Sequence, residues 1–368
     1  MTRPFRRSSP TTAAPGPSDP HPPCPARAPR GPSRAIAMVL LLLVPLPAPR
    51  LLAQSAYRVF ASNEYGGSVT VIDPENGQVL KTLRVTEAGR ARPRGLAVSP
   101  DGGTVFVALS DFSPRVESDE DKIVAIDVAT AEVRGEYRVG TDPERLAVSP
   151  DGTQLWAANE DAAQATGFDI ATGEVLGAFP TGIEPEGVGI SPDGKWVYVT
   201  GEASHTVTVI DARALQVVKH VLVGARPRIV LFSPDGSRAY VSAEIGGTVS
   251  VMDTSDHSVV ATVSLGRDSR LVGLALSPDG TRLYAAGGGV NAVFVVDTET
   301  NEVVKVIRER MGRRPWGIAV SPDGTRVYTA DGLSDSVTVI DADSLQVIRS
   351  IQAGRGTHDV AIGLLPGS

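Results

Sequence analysis

Residues 191–211 read SPDGKWVYVTGEASHTVTVID, and this stretch decides the fold. Ser-Pro-Asp-Gly is typical of a tight turn, because proline pre-sets the backbone at the second position and glycine suits the fourth. Two runs rich in β-branched and aromatic residues follow, with a short polar loop between them. The stretch therefore predicts a tight turn followed by two antiparallel strands.

The same pattern recurs along the chain. Ser-Pro-Asp-Gly turns are spaced by 50, 42, 42, 44 and 44 residues, and they begin at Ser99, Ser149, Ser191, Ser233, Ser277 and Ser321. The aspartate that ends the alternating strand occurs seven times, at Asp73, Asp127, Asp169, Asp211, Asp253, Asp297 and Asp341. Each repeat contains four short apolar runs and no helical pattern, which is typical of a propeller blade. We predict an all-β fold, a seven-bladed β-propeller of four-stranded blades.

The phase of the repeat predicts how the ring closes. The chain enters the pattern at a second strand, residues 57–63, and leaves it at a first strand, residues 359–364. One blade would then take its innermost strand from the C-terminus and its three outer strands from the N-terminus. Such closure hides both sheet edges, so it would stabilise a ring that has no disulfides.

Residues 1–54 differ in composition from the predicted propeller, residues 55–368. Residues 1–34 contain ten prolines and six arginines, a composition that cannot bury a core. The apolar run over residues 35–46 is too short to span a bilayer and is typical of a secretory signal, with Ala53 as a small residue for cleavage. We expect a periplasmic or secreted protein with no transmembrane domain in its mature form. A membrane anchor or a wrongly chosen start codon are the alternatives.

Charge and cysteine content exclude several classes of protein. The whole chain has a formal net charge of -7, and residues 55–368 contain 28 basic and 41 acidic side chains. This acidic balance argues against nucleic-acid binding through phosphate neutralisation. Cys24 is the single cysteine, so a disulfide framework, a Cys-rich zinc site and covalent c-type haem are excluded.

Several segments resemble a known family. The Val-Thr-Val-Ile-Asp runs and the segments at residues 198–201 and 240–243 resemble the YVTN-repeat propellers, across residues 57–364. Residues 92–95, 184–187, 226–228 and 244–251 resemble the subgroup of exported propellers associated with pyrroloquinoline-quinone-dependent catabolism of alcohols and amines. The resemblance implies a periplasmic companion of quinoprotein dehydrogenases, cytochromes c and transport systems, and it supplies no catalytic residues.

A cofactor site is not indicated by the residue types that usually form one. Histidines of the predicted propeller lie in different repeats without ligand spacing, at His205, His220, His257 and His358. Quinoprotein dehydrogenases usually have eight blades and tryptophan-rich docking motifs, whereas this chain has seven repeats and three tryptophans. We therefore expect no bound cofactor and no metal, and we assign no catalytic residue.

Two sets of loops should surround the channel on one face of the propeller. The loops that enter the innermost strands place a distinctive residue after proline, or at the corresponding position, namely Arg94, Glu144, Glu186, Arg228, Arg270, Trp316 and His358. The loops between second and third strands contribute Glu64, Glu160, Glu202 and Glu244. Equivalent positions carry different charges, so we predict a polar binding site with one aromatic side chain. Alternatively, these charges pair across loops and only keep the surface soluble.

Two functions follow from this site. The leading interpretation is a monomeric, non-enzymatic binding or scaffold protein for a quinoprotein dehydrogenase or a cytochrome c, because an acidic surface steers basic partners. The alternative is a lactonase-type hydrolase that acts on a small sugar lactone. That chemistry needs a general base or a metal in the pocket, for which Glu160, Glu186, Glu202 and His358 are candidates. We also expect replacement of Trp316 and Arg228 by alanine to weaken partner binding and to leave stability nearly unchanged.

Overall fold

The computed structural model describes residues 56–366 except 114, 115 and 117, and the predicted export segment lies outside the described residues. The described chain forms seven antiparallel sheets of four strands each. This arrangement confirms the predicted all-β, seven-bladed propeller. Among the described residues, no helix has the length and apolar character needed to cross a membrane.

The strands follow one another in the same order in every blade. The N-terminal strands are β1 (Tyr57–Asn63), β2 (Ser68–Ile72) and β3 (Val79–Arg84). Blade 1 consists of β4 (Ala91–Val98), β5 (Thr104–Asp111), β6 (Lys122–Asp127) and β7 (Glu132–Arg138). Blade 2 consists of β8 (Pro143–Val148), β9 (Gln154–Asn159), β10 (Gln164–Asp169) and β11 (Val175–Pro180). Blade 3 consists of β12 (Pro185–Ile190), β13 (Trp196–Gly201), β14 (Thr206–Asp211) and β15 (Gln216–Leu222).

The C-terminal half continues this order. Blade 4 consists of β16 (Pro227–Phe232), β17 (Arg238–Ala243), β18 (Thr248–Asp253) and β19 (Ser258–Ser264). Blade 5 consists of β20 (Leu271–Leu276), β21 (Arg282–Gly287), β22 (Ala292–Asp297) and β23 (Val303–Ile307). Blade 6 consists of β24 (Pro315–Val320), β25 (Arg326–Asp331), β26 (Ser336–Asp341) and β27 (Gln346–Gln352). The last strand is β28 (Thr357–Leu364).

The ring closes as the repeat phase predicts. Strand β28 pairs antiparallel with β1, from Tyr57 opposite Leu364 to Asn63 opposite Thr357, and completes blade 7 in the order β28-β1-β2-β3. Asp359 on β28 accepts hydrogen bonds at Oδ2 from the backbone N–H of Leu96 at 2.9 Å and from Arg145 Nη1 at 2.5 Å. The closing strand is therefore bonded to blades 1 and 2 as well as to its own sheet.

The repeated turns fix the innermost strands. In the turn at residues 191–194, Gly194 N–H donates to the Ser191 carbonyl at 2.8 Å, and Gly194 has φ +69°. Asp193 Oδ1 accepts hydrogen bonds from Ser191 Oγ at 2.6 Å and from the Lys195 N–H at 3.0 Å. Glycine is favoured at the fourth position because its φ is left-handed.

Close packing of the innermost strands brings their first residues together around the channel. A Cβ added at Gly187 would lie 2.2 Å from the carbonyl oxygen of Arg228 on the next blade. Glycine therefore allows adjacent innermost strands to approach closely. The large core side chains lie between blades instead, as for Trp156 and Tyr198, which are fully buried on their second strands.

Candidate functional site at the channel mouth

A cavity of about 510 Å³ opens where the loops entering the innermost strands meet the loops between second and third strands. Seven of the residues predicted for a binding site line this cavity, namely Glu64, Arg94, Glu144, Glu160, Arg228, Trp316 and His358. The structure therefore brings together side chains that are up to 294 residues apart in the sequence, Glu64 and His358.

The start of the innermost strand positions two side chains at the cavity in several blades. Residues i and i+2 of a strand lie on the same face, so the residues immediately before and after the proline both reach the mouth. Arg226 and Arg228 flank Pro227 in this way and both line the cavity. The residue before proline has a positive φ in several blades, for example 59° at Arg226 and 56° at Arg314. This conformation turns the chain from the loop into the strand.

Arg228 is the centre of a buried ion-pair cluster. Its guanidinium lies 3.1 Å from Glu186 Oε2 and 2.7 Å from Glu244 Oε2, and it also pairs with Glu202. Arg226 Nε lies 2.6 Å from Glu202 Oε2. Arg228 is only 6% exposed. The burial of Arg228 argues against the expectation that its replacement leaves stability nearly unchanged, because its removal would leave buried carboxylates without a partner.

The carboxylates of this cluster have opposite pKa shifts. Burial acts to raise the pKa of Glu186, but the positive charges of Arg228, Arg94 and Arg145 outweigh it, so this pKa lies below its usual value. Burial and the neighbouring charge of Glu186 raise the pKa of Glu202 to about 8. Glu186 is therefore the carboxylate that the arginines hold ionised most strongly.

A second set of ion pairs lies on the opposite wall. Arg94 Nε donates to Glu144 Oε2 and Arg94 Nη1 to Glu64 Oε1, both at 2.8 Å. Arg92 Nη2 lies 2.8 Å from Asp142 Oδ1. Arginines and glutamates of neighbouring loops thus pair with each other. This is what the alternative interpretation predicted, in which these charges only keep the surface soluble. The pairs form the wall of a cavity, however, and are not spread over an open surface.

Trp316 and His358 form an aromatic corner of the cavity. Their ring centroids are 5.7 Å apart, and the guanidinium groups of Arg314 and Arg228 lie 4.5 and 5.2 Å from the centroid of Trp316. His358 is 6% exposed, and neither of its ring nitrogens has a hydrogen-bond partner among the described residues. Burial and the positive charges of nearby arginines, Arg94 first, hold the pKa of His358 well below its usual value. The imidazole is therefore neutral at pH 7.

Three carboxylates meet beside the arginines of the second set. One carboxylate oxygen from each of Asp142, Glu144 and Glu160 lies within 4.8 Å of the others. Burial and the charges of Glu144, Glu186 and Asp142 raise the pKa of Glu160 to about 9. Burial raises the pKa of Glu144 to about 7, against the lowering effect of Arg94. The expectation of no metal considered histidine and cysteine ligands, and it did not consider this group of oxygen donors.

Arg270 does not occupy the predicted position. Leu271 pairs with Gly287 as Pro227 pairs with Ala243 in the preceding blade, so Val272 is the residue equivalent to Arg228. Arg270 is exposed and does not line the cavity. The prediction was two residues out of register because this loop lacks the proline that marks the start of the strand elsewhere.

Three further predicted residues are near the cavity but do not line it. Glu186, Glu202 and Glu244 hold Arg226 and Arg228 in place, so they act on the site through those arginines. Four charged residues that were not predicted from the sequence also line it, Arg92, Asp142, Arg226 and Arg314. Each lies two residues before a predicted residue, so strand alternation was the signal that could have found them.

Comparison with known proteins gives one family match. The family described as "Lactonase, 7-bladed beta-propeller" matches residues 212–347. No curated protein matches this chain.

Solved structures with the same fold come from several sources. The chain resembles a hydrazine synthase of Kuenenia stuttgartiensis, with 21% identity, 75% of this chain and 96% of that chain covered, and a TM-score of 0.63. A 6-phosphogluconolactonase-like protein of Bacteroides fragilis is also 21% identical, with 84% and 99% coverage and a TM-score of 0.69. A functionally unknown protein of Desulfotomaculum acetoxidans is 15% identical, with 84% and 99% coverage and a TM-score of 0.71. At these identities the likeness shows the fold alone.

The family match corrects the leading interpretation of the sequence. It points to a lactonase-type propeller, which was the alternative, and the interpretation as a non-enzymatic scaffold is wrong. The seven-bladed propeller of this structure agrees with the description of the matched family. The comparisons do not support the finer assignment to the YVTN-repeat or quinone-associated subgroup. That assignment, the protein partner, the monomeric state and the exported location stay predictions.

Proposed function

We propose that this protein is a lactonase-type hydrolase that opens a small sugar lactone in the channel-mouth cavity. The observation that carries the proposal is the lactonase family match over residues 212–347. The matched residues include Arg226, Arg228, Arg314 and Trp316, which form one wall of the cavity. The match therefore covers part of the candidate site as well as part of the fold.

The cavity has the size and polarity that a monosaccharide derivative requires. A volume of about 510 Å³ lies in the range of small-molecule sites. The indole of Trp316 lines the cavity, and Arg314 lies at the exposed rim with its guanidinium 4.5 Å from the centroid of that ring. Arg314 has no ion pair with a carboxylate among the described residues, so its guanidinium is available for a phosphate or carboxylate group. A phosphorylated or carboxylated sugar lactone is the substrate class that fits best.

The chemistry of ring opening needs a base and a stabilised oxyanion. The oxygen of water bonds to the lactone carbonyl carbon, and the bond from that carbon to the ring oxygen breaks. The proton that leaves the water is returned to the ring oxygen, which becomes a hydroxyl, and the new carboxylic acid ionises. We assign the base to His358, because its imidazole is neutral and neither nitrogen is engaged in a hydrogen bond with the described residues. The buried guanidinium groups of Arg94 and Arg228 supply positive charge for the oxyanion.

The proposal is tested by a panel of lactones. Proton release by purified protein is measured for gluconolactone, its 6-phosphate and an uncharged aliphatic lactone, at mildly acidic pH, where spontaneous hydrolysis is slow. We expect saturable hydrolysis of the sugar lactones above the spontaneous rate, with preference for the phosphorylated one. Arg314→Ala should raise the KM of the phosphorylated lactone roughly tenfold and leave the unphosphorylated lactone nearly unaffected, as expected for loss of one charge-assisted contact.

A matched control lies on the opposite face of the propeller. Arg213 donates from Nη2 to the Asp193 carbonyl beside a Ser-Pro-Asp-Gly turn. Arg213→Ala should leave all rates unchanged, because the turn lies at the other end of the innermost strand. Rates equal to spontaneous hydrolysis for every lactone would refute the proposed function.

A further inference from the structure

Blade 2 holds three carboxylates in a fixed arrangement at the cavity wall. Asp142 and Glu144 flank Pro143 at the start of β8, and Glu160 directly follows β9, which pairs antiparallel with β8. The backbone N–H of Glu160 donates to the Asp142 carbonyl at 2.9 Å, so the ends of the two strands are held side by side. One carboxylate oxygen of each residue lies within 4.8 Å of the others. Two oxygen ligands of one Ca²⁺ are at most about 5 Å apart, so this spacing suits a shared cation.

Blade 3 carries acids at the same three positions, and two of them are paired with arginines. The equivalent residues are Glu184, Glu186 and Glu202, and the next blade supplies Arg226 and Arg228, which pair with Glu202 and Glu186. For blade 2 the next blade is the acidic blade 3 itself. The carboxylates of blade 2 therefore receive no arginine from that side.

On its other side, blade 2 receives too few arginines from blade 1 to pair with all three carboxylates. Arg92 pairs with Asp142, and Arg94 pairs with Glu144. The Glu160 side chain has no hydrogen bond or ion pair with any described residue. Glu144 is 1% exposed, and its Oε1 has no hydrogen-bond partner in the described chain. A buried carboxylate oxygen without a partner is costly, so the site lacks positive charge on the side of Glu160.

We propose that Asp142, Glu144 and Glu160 bind one hard divalent cation, such as Ca²⁺, Mg²⁺ or Mn²⁺. All three donors are carboxylate oxygens, which these cations prefer, whereas zinc and copper favour nitrogen and sulfur ligands. The three residues line the cavity, and Asp142 and Glu160 are only partly buried. Water or a ligand oxygen from the cavity therefore completes the coordination.

The cation site goes beyond the proposed hydrolysis and does not rest on it. Its ligands are distinct from His358 and Trp316, and its occupancy is measurable without any lactone. Neutralisation of the same carboxylates by protons is the physical alternative, because crowding raises the pKa of Glu160. A direct binding measurement distinguishes the two.

The experiment titrates chelator-treated full-length protein with Ca²⁺, Mg²⁺ or Mn²⁺ in a calorimeter, without substrate, and records the melting temperature with each cation. We expect one equivalent of at least one cation to bind, with a dissociation constant at or below about 10⁻³ M, and to raise the melting temperature. Glu160→Gln should weaken binding more than tenfold. The same variant should melt no lower than the cation-free wild type, because it removes a carboxylate that has no partner.

Glu202→Gln is the matched control, since Glu202 occupies the equivalent position in blade 3 and is paired with Arg226. It should keep the affinity of the wild type. Absence of binding by all three cations, equal binding by Glu160→Gln, or equal losses in both variants would overturn the proposal. Cation binding without lactone hydrolysis would support this site and refute the proposed function. Lactone hydrolysis without cation binding would support the proposed function and refute this site.

Discussion

Replacement of Arg228 by methionine should destabilise the propeller strongly. Methionine keeps an unbranched apolar side chain but removes the guanidinium that pairs with Glu186, Glu202 and Glu244. Glu186 and Glu202 are each 1% exposed, so water cannot replace the lost partner. Removal of one member of a buried ion pair costs about 3–5 kcal/mol. This is a large part of the 5–15 kcal/mol that is typical of a folded domain.

The loss of stability in Arg228→Met should also depend on pH. With Arg228 present, the pKa of Glu186 lies below its usual value of 4.5, so its contribution to stability is present above that value. Without Arg228, burial should raise this pKa. The folded variant would then hold a proton that the unfolded chain has lost, and stability falls by about 1.4 kcal/mol per pH unit for each such proton. Glu202 already has a pKa of about 8 in the wild type, so the added pH dependence arises mainly from Glu186.

Urea denaturation of the wild type and Arg228→Met at mildly acidic and mildly alkaline pH measures both effects. We expect the difference in the free energy of unfolding to be larger at the alkaline pH. Arg226→Met is the control, because the side chain of Arg226 is 41% exposed and its loss should cost about 1 kcal/mol or less. A difference below about 1 kcal/mol for Arg228→Met, or the same difference at both pH values, would refute the reasoning.

Two further predictions follow from the closing strand and from His358. Deletion of the chain from Thr357 onward removes β28 and should abolish the cooperative thermal transition seen by circular dichroism. A truncated protein that melts within a few degrees of the parent would contradict ring closure by β28. The acid limb of kcat/KM should lie below pH 6.5, because burial and the charges of Arg94, Arg145, Arg228 and Arg92 lower the pKa of His358 and a base must be unprotonated to act. An acid limb at or above pH 6.5 in the pH–rate profile would argue against His358 as the base.

The fold was predictable because its signals are local and repeated. The Ser-Pro-Asp-Gly turns and the alternating strands occur at a nearly constant spacing, so each copy confirms the register of the others. The repeat pattern begins at a second strand and ends at a first strand, and this also predicted that β28 would pair with β1. No long-range information was needed for either result.

The site was only partly predictable, because counting along loops gives positions but not contacts. Proline marked the register for Arg94 and Arg228, and its absence placed Arg270 two residues out of register. The burial of Arg228 depends on which blades are neighbours and on how deep the loop lies, which the sequence does not show. The cluster that contains Asp142 was missed for the same reason, since the adjacent ends of β8 and β9 bring it close to Glu160.

Hydrolysis by wild-type protein and by His358→Gln tests the central claim most directly. The assay is the initial rate of proton release from the phosphorylated sugar lactone, corrected for spontaneous opening, with folding of both proteins checked by thermal melting. We expect saturable hydrolysis by the wild type and a loss of about 10²–10⁴-fold in kcat/KM for the variant, the usual contribution of a positioned general base. A wild-type rate equal to the spontaneous rate, or a folded His358→Gln variant with the kcat/KM of the wild type, would contradict it.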